Sequence, residues 1–184
     1  IDMQGQLTRV TMADHVTIGA DRSEQTLQSL TTWRAERHGL HRWAVVLEQD
    51  ADTSHDPVIE PMFGCRLGEV VEVPEHRLVV AEMLALRPLQ RGDLFTSAYR
   101  IDYAPSALPS FRMQRSCAET VRVLSLMVTF DRSALPARVQ ARTLDAIDDE
   151  EPTTSFDVPL TLTEAQVVRV DARPGVYSLY WDWE

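Results

Sequence analysis

Few residues of this chain stand at a spacing that supports catalysis or metal binding. His38 and His41 are separated by two residues across a predicted tight turn, a spacing that two metal ligands can have. The sequence offers no identifiable third ligand, so exposed loop histidines are the favoured interpretation. His15, His55 and His76 have acidic neighbours, but no nucleophile lies in a motif such as GxSxG. We therefore predict no catalytic residue, no cofactor-binding residue, no cofactor and no metal ligand.

The densest carboxylate group is the run Asp148, Asp149, Glu150 and Glu151, which is followed by Pro152. General acid and base catalysis needs two carboxyl groups in different, partly buried environments. Four consecutive acids beside a proline are instead typical of a solvated loop. Two alternatives remain open, a contact with a basic partner and a calcium site, although the glycine-bearing spacing of an EF-hand is absent.

The charged residues exclude several classes of function. All 18 basic side chains are arginines, since the chain contains neither lysine nor asparagine. A Walker phosphate loop, a Schiff-base lysine and an N-glycosylation site are therefore absent. The net charge of −10 repels phosphate backbones, and no arginine-dense stripe interrupts it. We expect no direct binding of nucleic acid by this chain.

Compartment is indicated by the cysteines and by the hydropathy of the chain. No apolar run approaches the roughly 18 residues of a membrane span, so we expect a soluble protein that does not bind membranes. Cys65 and Cys117 lack CxxC spacing, and two cysteines are too few for a disulfide-stapled scaffold. We expect small buried thiols in a reducing, cytoplasmic environment. The sequence leaves open whether the two cysteines lie close in space.

The elements that position these residues are predicted to be strands. Apolar residues alternate with polar ones in short segments along the chain. We expect residues 1–184 to form a single domain, since all-β sandwiches commonly reach this length as one unit. Roughly ten such segments separated by turn residues predict an all-β fold, an antiparallel two-sheet β-sandwich of the immunoglobulin-like kind with little helix. The first twenty residues are predicted to form one bent strand or two short ones.

The last strand has the clearest alternation. Pro174 and Gly175 supply a turn before it. One face carries apolar residues suited to the core, namely Tyr177, Leu179, Trp181 and Trp183. The opposite face carries Tyr180 and Asp182, and an exposed tyrosine there would mark a contact surface. We predict Tyr180, Asp182 and Trp43 as interaction residues.

Residues 23–36 are ambiguous between strand and helix. Leu27, Leu30 and Trp33 recur at helical spacing, whereas several threonines lose rotamer freedom on a helix. We favour a long hairpin in which this segment pairs with the strand containing Trp43. The acidic segment 50–61 is predicted to be a surface loop.

Three further segments carry predictions about position. The nearly continuous apolar run at residues 78–86 predicts a central strand buried on both faces. It should pair in antiparallel fashion with residues 95–103. Residues 121–130 should also be central, and residues 131–136 can form one helical turn.

Several short motifs together resemble a known family. They are Gly64-Cys65-Arg66-Leu67-Gly68, Arg87-Pro88-Leu89 with Gly92-Asp93, Phe130-Asp131-Arg132-Ser133-Ala134-Leu135-Pro136, and Pro174-Gly175 followed by Trp181-Asp182-Trp183. This set resembles the C-terminal domain that follows an N-terminal helix-turn-helix in actinobacterial XRE-type transcriptional regulators, over about residues 60–184. The resemblance implies a β-rich effector or assembly domain and a DNA-binding head upstream of Ile1.

The expected function is a non-catalytic regulatory or assembly domain of a bacterial transcriptional regulator. It would mediate self-association as a homodimer or bind a protein partner through an exposed sheet edge or apolar patch. One alternative is a small-molecule or carbohydrate sensor with a pocket between the sheets or beside Pro105 and Pro109. A second alternative is an enzyme, which no motif supports.

Overall fold

The computed structural model describes residues 6–48, 57–146, 149 and 151–184, and this part of the chain is almost entirely β-structure. The predicted all-β sandwich is confirmed. The described residues form thirteen strands and one short 3-10 turn at Pro74–His76. The strands are β1 Leu7–Ile18, β2 Glu24–Ala35, β3 Leu40–Glu48, β4 Val58–Phe63, β5 Cys65–Val73, β6 Leu78–Leu89, β7 Leu94–Asp102, β8 Arg112–Cys117, β9 Val121–Phe130, β10 Arg138–Leu144, β11 Thr154–Asp157, β12 Glu164–Ala172 and β13 Gly175–Asp182.

The strands are arranged in three sheets. A six-stranded sheet has the order β12-β9-β1-β2-β7-β4, a four-stranded sheet the order β11-β10-β13-β8, and a three-stranded sheet the order β3-β6-β5. All pairings are antiparallel except that of β1 with β9, which is parallel. Of the two arrangements predicted for the first twenty residues, one bent strand or two short ones, the structure has one strand, β1, with a register irregularity between Arg9 and Thr11.

The two smaller sheets cover the same face of the six-stranded sheet, each over one half. On β9, Phe130 meets Trp181 of β13 with ring centroids 5.4 Å apart. On the other half, Trp43 of β3 lies 5.9 Å from Trp33 of β2 and 5.5 Å from Phe95 of β7. The second layer of the sandwich is therefore divided into two sheets, each anchored by a buried tryptophan.

The ambiguous segment at residues 23–36 is a strand, but the predicted hairpin is wrong. The alternation Leu27, Ser29, Thr31 and Trp33 is buried along β2, which pairs with β1 and β7. Strand β3 pairs with β6 in the three-stranded sheet. The chain crosses from one layer to the other between β2 and β3, and the tilted rings of Trp33 and Trp43 then pack against each other across the layers.

The predicted pairing of residues 78–86 with 95–103 is also wrong. Strand β6 lies between β3 and β5, whereas β7 lies between β2 and β4. The turn between β6 and β7 changes layers, and Gly92 N–H donates to the Ala35 carbonyl of the six-stranded sheet. Strand β6 buries Val79, Ala81 and Met83 on one face only, and its other face is partly exposed.

Other local predictions have mixed outcomes. The central position of residues 121–130 is confirmed, since β9 lies between β12 and β1. Residues 131–136 form a turn and not a helical turn, with Ala134 N–H donating to the Asp131 carbonyl. Residues 58–61 of the predicted loop belong to β4. His55, Asp148 and Glu150 lie outside the described residues.

The last strand takes the predicted position. Strand β13 lies between β10 and β8, and Tyr177, Leu179 and Trp181 are buried on its inner face. The indole N–H groups of Trp181 and Trp183 both donate to the Ser110 carbonyl at 2.8 Å. This C-terminal segment therefore completes the core beneath the four-stranded sheet.

Gly64 permits the chain to pass directly from the six-stranded to the three-stranded sheet. It separates β4 from β5 with φ of 70°, and a Cβ at this position would lie 2.0 Å from the Thr96 carbonyl oxygen of β7. A side chain is excluded by both the backbone conformation and the space. The motif Gly64 to Gly68 in the sequence thus reflects a change of layer.

Candidate protein-contact surfaces

The histidines and cysteines of the described residues make no assembled site. His38 Nδ1 lies 2.8 Å from Gln90 Oε1, and His41 Nδ1 lies 3.2 Å from the Gly39 carbonyl oxygen. The described ranges contain no group of three His, Cys, Asp or Glu side chains that could hold a metal ion. Cys65 and Cys117 are free and buried in different sheets, and burial raises the pKa of both thiols.

An ion pair between a buried aspartate and a partly exposed arginine joins the four-stranded sheet to the six-stranded sheet. Asp14 of β1 is almost fully buried, and its Oδ2 accepts a hydrogen bond from Arg115 Nε of β8. Burial alone would lower the pKa of the Arg115 guanidinium, but the Asp14 carboxylate reverses this effect and the pKa is raised. The sequence does not indicate this pair, because Asp14 and Arg115 are 101 positions apart. The opposite charges of Asp14 and Arg115 attract each other and hold β1 of one layer to β8 of the other.

Tyr99 of β7 and Tyr103, which follows the end of that strand, lie in the same polar region as the Asp14–Arg115 pair. Burial raises the pKa of Tyr99 and also that of Tyr103. The carboxylates of Asp14 and Glu24 raise these pKa values further. The Tyr99 phenol is hydrogen-bonded to the Ser29 side chain within the sandwich.

An open cleft lies at the carboxyl ends of the parallel strands β1 and β9. It has a volume of about 840 Å³ and is lined by residues that include Thr17, Asp21, Gln25, Asp131 and Arg132. Its lining does not include the predicted pocket loop with Pro105 and Pro109. Between the sheets, the void beside Leu124 and Tyr177 measures only about 10 Å³, too little for a ligand.

The structure separates the three predicted interaction residues. Trp43 is 2% exposed and lies in the core, so it serves packing and is not available to a partner. Tyr180 is half-buried on the outer face of the four-stranded sheet, while Asp182 is exposed at the end of β13. The face around Tyr180 is polar.

Two arginines flank Tyr180 on this polar face. The Arg142 guanidinium lies 4.3 Å from the Tyr180 ring centroid, and Arg112 donates to the phenol oxygen at 3.5 Å. Gln140 stands opposite Tyr180 on β10. These contacts hold the tyrosine ring against its own sheet, so little apolar surface remains for a partner.

The outer face of the three-stranded sheet has the opposite character. Val46, Val80 and Val71 stand directly opposite one another across β3, β6 and β5. Val46 is 59% exposed and Val71 45% exposed. Leu78 and Leu84 of β6 lie on the same face and are partly exposed. We call the three valines the valine row.

Charged residues border the valine row. Arg42 of β3 forms an ion pair with Glu82 of β6 at 3.0 Å, and Glu82 is two residues from Val80 along β6. An apolar centre with a charged margin is the composition found at protein interfaces. Sequence reasoning missed this surface because the apolar run at residues 78–86 was assigned to burial on both faces. The apolar run at residues 78–86 is itself the sequence signal for this exposed surface.

Comparison with known proteins gives the fold and no family. No protein-family model matches the chain, and no curated protein matches it in sequence. The chain is similar to a solved "putative protease" from Parabacteroides distasonis, with a TM-score of 0.57 and 12% identity. The match covers 95% of this chain and 40% of that one. At this identity the likeness shows a shared fold alone.

A second solved structure is a mutant of a two-domain M1 zinc metallopeptidase bound to L-tryptophan. Its TM-score is 0.45 at 12% identity, over 96% of this chain and 43% of that chain. This chain thus spans less than half the length of either similar protein. No helix long and apolar enough to cross a membrane occurs in the described ranges.

Proposed function

We propose that this chain is a non-catalytic protein-contact domain and that the valine row is its docking surface. The observation that carries the proposal is the exposure of Val46 and Val71 on either side of Val80 in a single cross-strand row. Burying an exposed valine contributes about 1.5–3 kcal/mol when its side chain is fully covered. Contiguous apolar patches on otherwise polar proteins mark interaction sites.

The partner we propose for the valine row is a further folded unit of the same polypeptide. Support comes from the solved protein of similar fold. The region of that protein that matches this chain is 40% of its length. In that protein a domain of this fold stands in a longer chain. A unit within one polypeptide needs only a modest interface, because its effective concentration is high.

The test compares this chain alone with the complete product of the gene that encodes it. The change is Val46→Asp, which places a charge on the valine row. In the complete product we expect the thermal unfolding of this domain to lose about 2 kcal/mol or more of stability, because a carboxylate would be buried against the partner. In the chain alone the loss should stay below about 1 kcal/mol, the ordinary range of strand propensity.

Leu30→Asp is the matched control. Leu30 is an exposed apolar residue on the uncovered face of the six-stranded sheet, 43% exposed. Its replacement should cost the same in both proteins. Equal losses from Val46→Asp in both proteins would contradict the proposal, as would a gene product that contains nothing beyond this chain.

The class of the parent protein has two candidates. The short motifs support a transcriptional regulator, in which this domain would be the regulatory or assembly part. The shared fold over 95% of the chain supports a peptidase with this domain as a non-catalytic companion, and this observation is the broader of the two. Either protein would be cytoplasmic, a location supported by the two buried free thiols.

Two assays on the complete gene product separate these candidates. Hydrolysis of a fluorogenic peptide library by the complete product, with none by this chain alone, would support the peptidase. Retardation of genomic DNA fragments without peptide hydrolysis would support the regulator.

A further inference from the structure

Leu162 is the most exposed large apolar residue in the described ranges, with 87% of its surface accessible. It lies in the two-residue turn that leads into β12, and its φ of 59° is left-handed. A left-handed backbone costs a residue larger than glycine a factor of roughly 5–30 in the ratio of folded to unfolded protein. Glycine, asparagine or aspartate is the usual residue at such a position. The backbone conformation therefore does not explain the presence of a leucine.

Hydrogen bonds hold this turn in one conformation. Thr161 N–H donates to the Glu164 carbonyl at 2.8 Å, and Glu164 N–H donates to the Thr161 carbonyl at 3.0 Å. The Thr163 carbonyl accepts from Phe130 N–H of β9 at 2.8 Å. The turn is thus attached to the six-stranded sheet, and Leu162 is presented in a fixed direction. A contact residue that is already ordered loses little conformational entropy on binding.

Packing among the described residues does not offset the strain at Leu162. The side chain buries little apolar area there, because most of its surface is exposed. Leu160, two residues earlier, does pack against the core. Strained backbone conformations persist mainly at functional positions. A strained and exposed leucine therefore indicates a contact with a group outside the described residues.

Polar groups border Leu162. The next residue, Thr163, lines the open cleft at the ends of β1 and β9 together with Asp131 and Arg132. The Asp131 carboxylate accepts hydrogen bonds from the backbone N–H and the hydroxyl of Ser133. Arg132 has no ion-pair partner among the described residues. An apolar anchor with a polar margin is the arrangement found at the centre of protein interfaces.

We propose that Leu162 is an anchor residue that inserts into an apolar pocket of a further folded unit of the same polypeptide. This inference rests on the proposed function, in which such a unit docks on this domain. It adds a second contact, because the turn that holds Leu162 belongs to the six-stranded sheet and the valine row to the three-stranded sheet.

The size of the contact favours a unit of the same polypeptide over a separate protein. Complete burial of one leucine multiplies an association constant by roughly 10- to 100-fold. A micromolar complex of two separate proteins needs an association constant of about 10⁶ M⁻¹, which one leucine does not supply. Two units of one polypeptide already have a high effective concentration, so a single anchor changes their contact measurably.

The first test introduces Leu162→Gly into this chain alone and into the complete gene product. In the chain alone the melting temperature should rise by about 1–3 °C, because glycine adopts the left-handed backbone without strain. In the complete product the transition of this domain should fall by about 2 °C or more, because a covered leucine is lost. Differential scanning calorimetry measures both shifts. A rise in both proteins would overturn the proposal.

Asp171→Gly is the matched control. Asp171 is also left-handed, with φ of 50°, and it lies exposed near the other end of β12. Glycine there should change the melting temperature of both proteins by the same amount. Shifts of opposite sign from Asp171→Gly as well would overturn the proposal, because the reversal would then not depend on Leu162.

Alkylation of Leu162→Cys measures the coverage of this position directly. Burial raises the pKa of the native thiols Cys65 and Cys117, so the introduced thiol reacts first. We expect alkylation to be roughly tenfold slower, or more, in the complete product than in the chain alone. Equal rates contradict the proposal. Protection in the chain alone that grows with its concentration also overturns it, because the occupant is then a second copy.

Val46→Asp separates this proposal from that of the valine row. A selective loss from Val46→Asp in the complete product, with Leu162→Gly raising the melting temperature of both proteins, supports the valine row and overturns the Leu162 contact. The converse result supports the Leu162 contact and overturns docking on the valine row. A gene product with no further folded unit overturns both.

Discussion

The four-stranded and the three-stranded sheets cover two halves of the same layer, yet their outer faces differ. The four-stranded sheet presents Tyr180 held between Arg112 and Arg142. The three-stranded sheet presents the valine row, with Val46 and Val71 exposed. Their inner faces are alike, each anchored by a tryptophan. The difference teaches that core packing fixes the fold, whereas the outer faces distinguish a surface suited to water from one suited to a partner.

The largest expected effect tests whether the core regions beneath the four-stranded and the three-stranded sheets contribute equally to the free energy of unfolding. Trp43→Ala and Trp181→Ala should each lower the free energy of unfolding by about 3–5 kcal/mol, because each leaves a cavity between layers. Both indoles are about 2% exposed. Urea unfolding followed by circular dichroism measures the loss. A much smaller loss for Trp43→Ala would show that the three-stranded sheet is an appendage of the fold.

An intermediate effect concerns the polar region beside the Asp14–Arg115 pair, at the inner edge of the four-stranded sheet. Burial raises the pKa of Tyr99 and Tyr103 in the folded protein, so the unfolded chain loses these protons first as pH rises. Stability is therefore complete below about pH 10 and falls above it, by up to about 1.4 kcal/mol per pH unit for each tyrosine. Chemical unfolding between about pH 8 and pH 11 measures this fall. The upper limit of this range lies about one pH unit above the normal pKa of tyrosine.

The double variant Tyr99→Phe with Tyr103→Phe is the control for the pH series. It should show a shallower loss of stability at high pH, because the unfolded chain then has two fewer phenols to ionise. An unchanged slope would assign the alkaline loss to other groups, such as the buried thiols.

The smallest effect contrasts the two outer faces directly. In the chain alone, Tyr180→Leu should cost about 0.5–1 kcal/mol, because the stack with Arg142 is lost. Val46→Thr should change stability by less than about 0.5 kcal/mol, since nothing covers that side chain. Thermal melts of both variants test this order. The reverse order would mean that the valine row is packed within this chain.

Sequence alternation predicted the strands well because burial of one face imposes a period of two. Strand β13 and its buried Leu179 follow directly from that rule, as does the central strand β9. Partner strands could not be predicted in the same way. The connections before Trp43 and after β6 are short enough for hairpins, but they cross between layers, and a sequence does not record the layer in which its next strand lies.

The candidate surfaces were harder to predict than the fold. Tyr180 was placed on the correct face from its even position, whereas Trp43 was not distinguished from an exposed residue. The valine row could not be predicted from the apolar run of β6. A strand with apolar residues on both faces has the same sequence pattern whether its second face is covered by another layer of the domain or by a separate partner. Asp14 and Arg115 are 101 positions apart, and nothing local links them.

The parallel pairing of β1 with β9 governs the order in which the protein can be completed during synthesis. Thr11 of the first strand pairs with Val123, 112 positions later. Until β9 has left the ribosome, one edge of β1 has no neighbouring strand. The six-stranded sheet is incomplete during that time. Closing so distant a contact is slow. The nascent chain therefore carries an open edge on β1 for the whole time in which the 112 positions after Thr11 are synthesised.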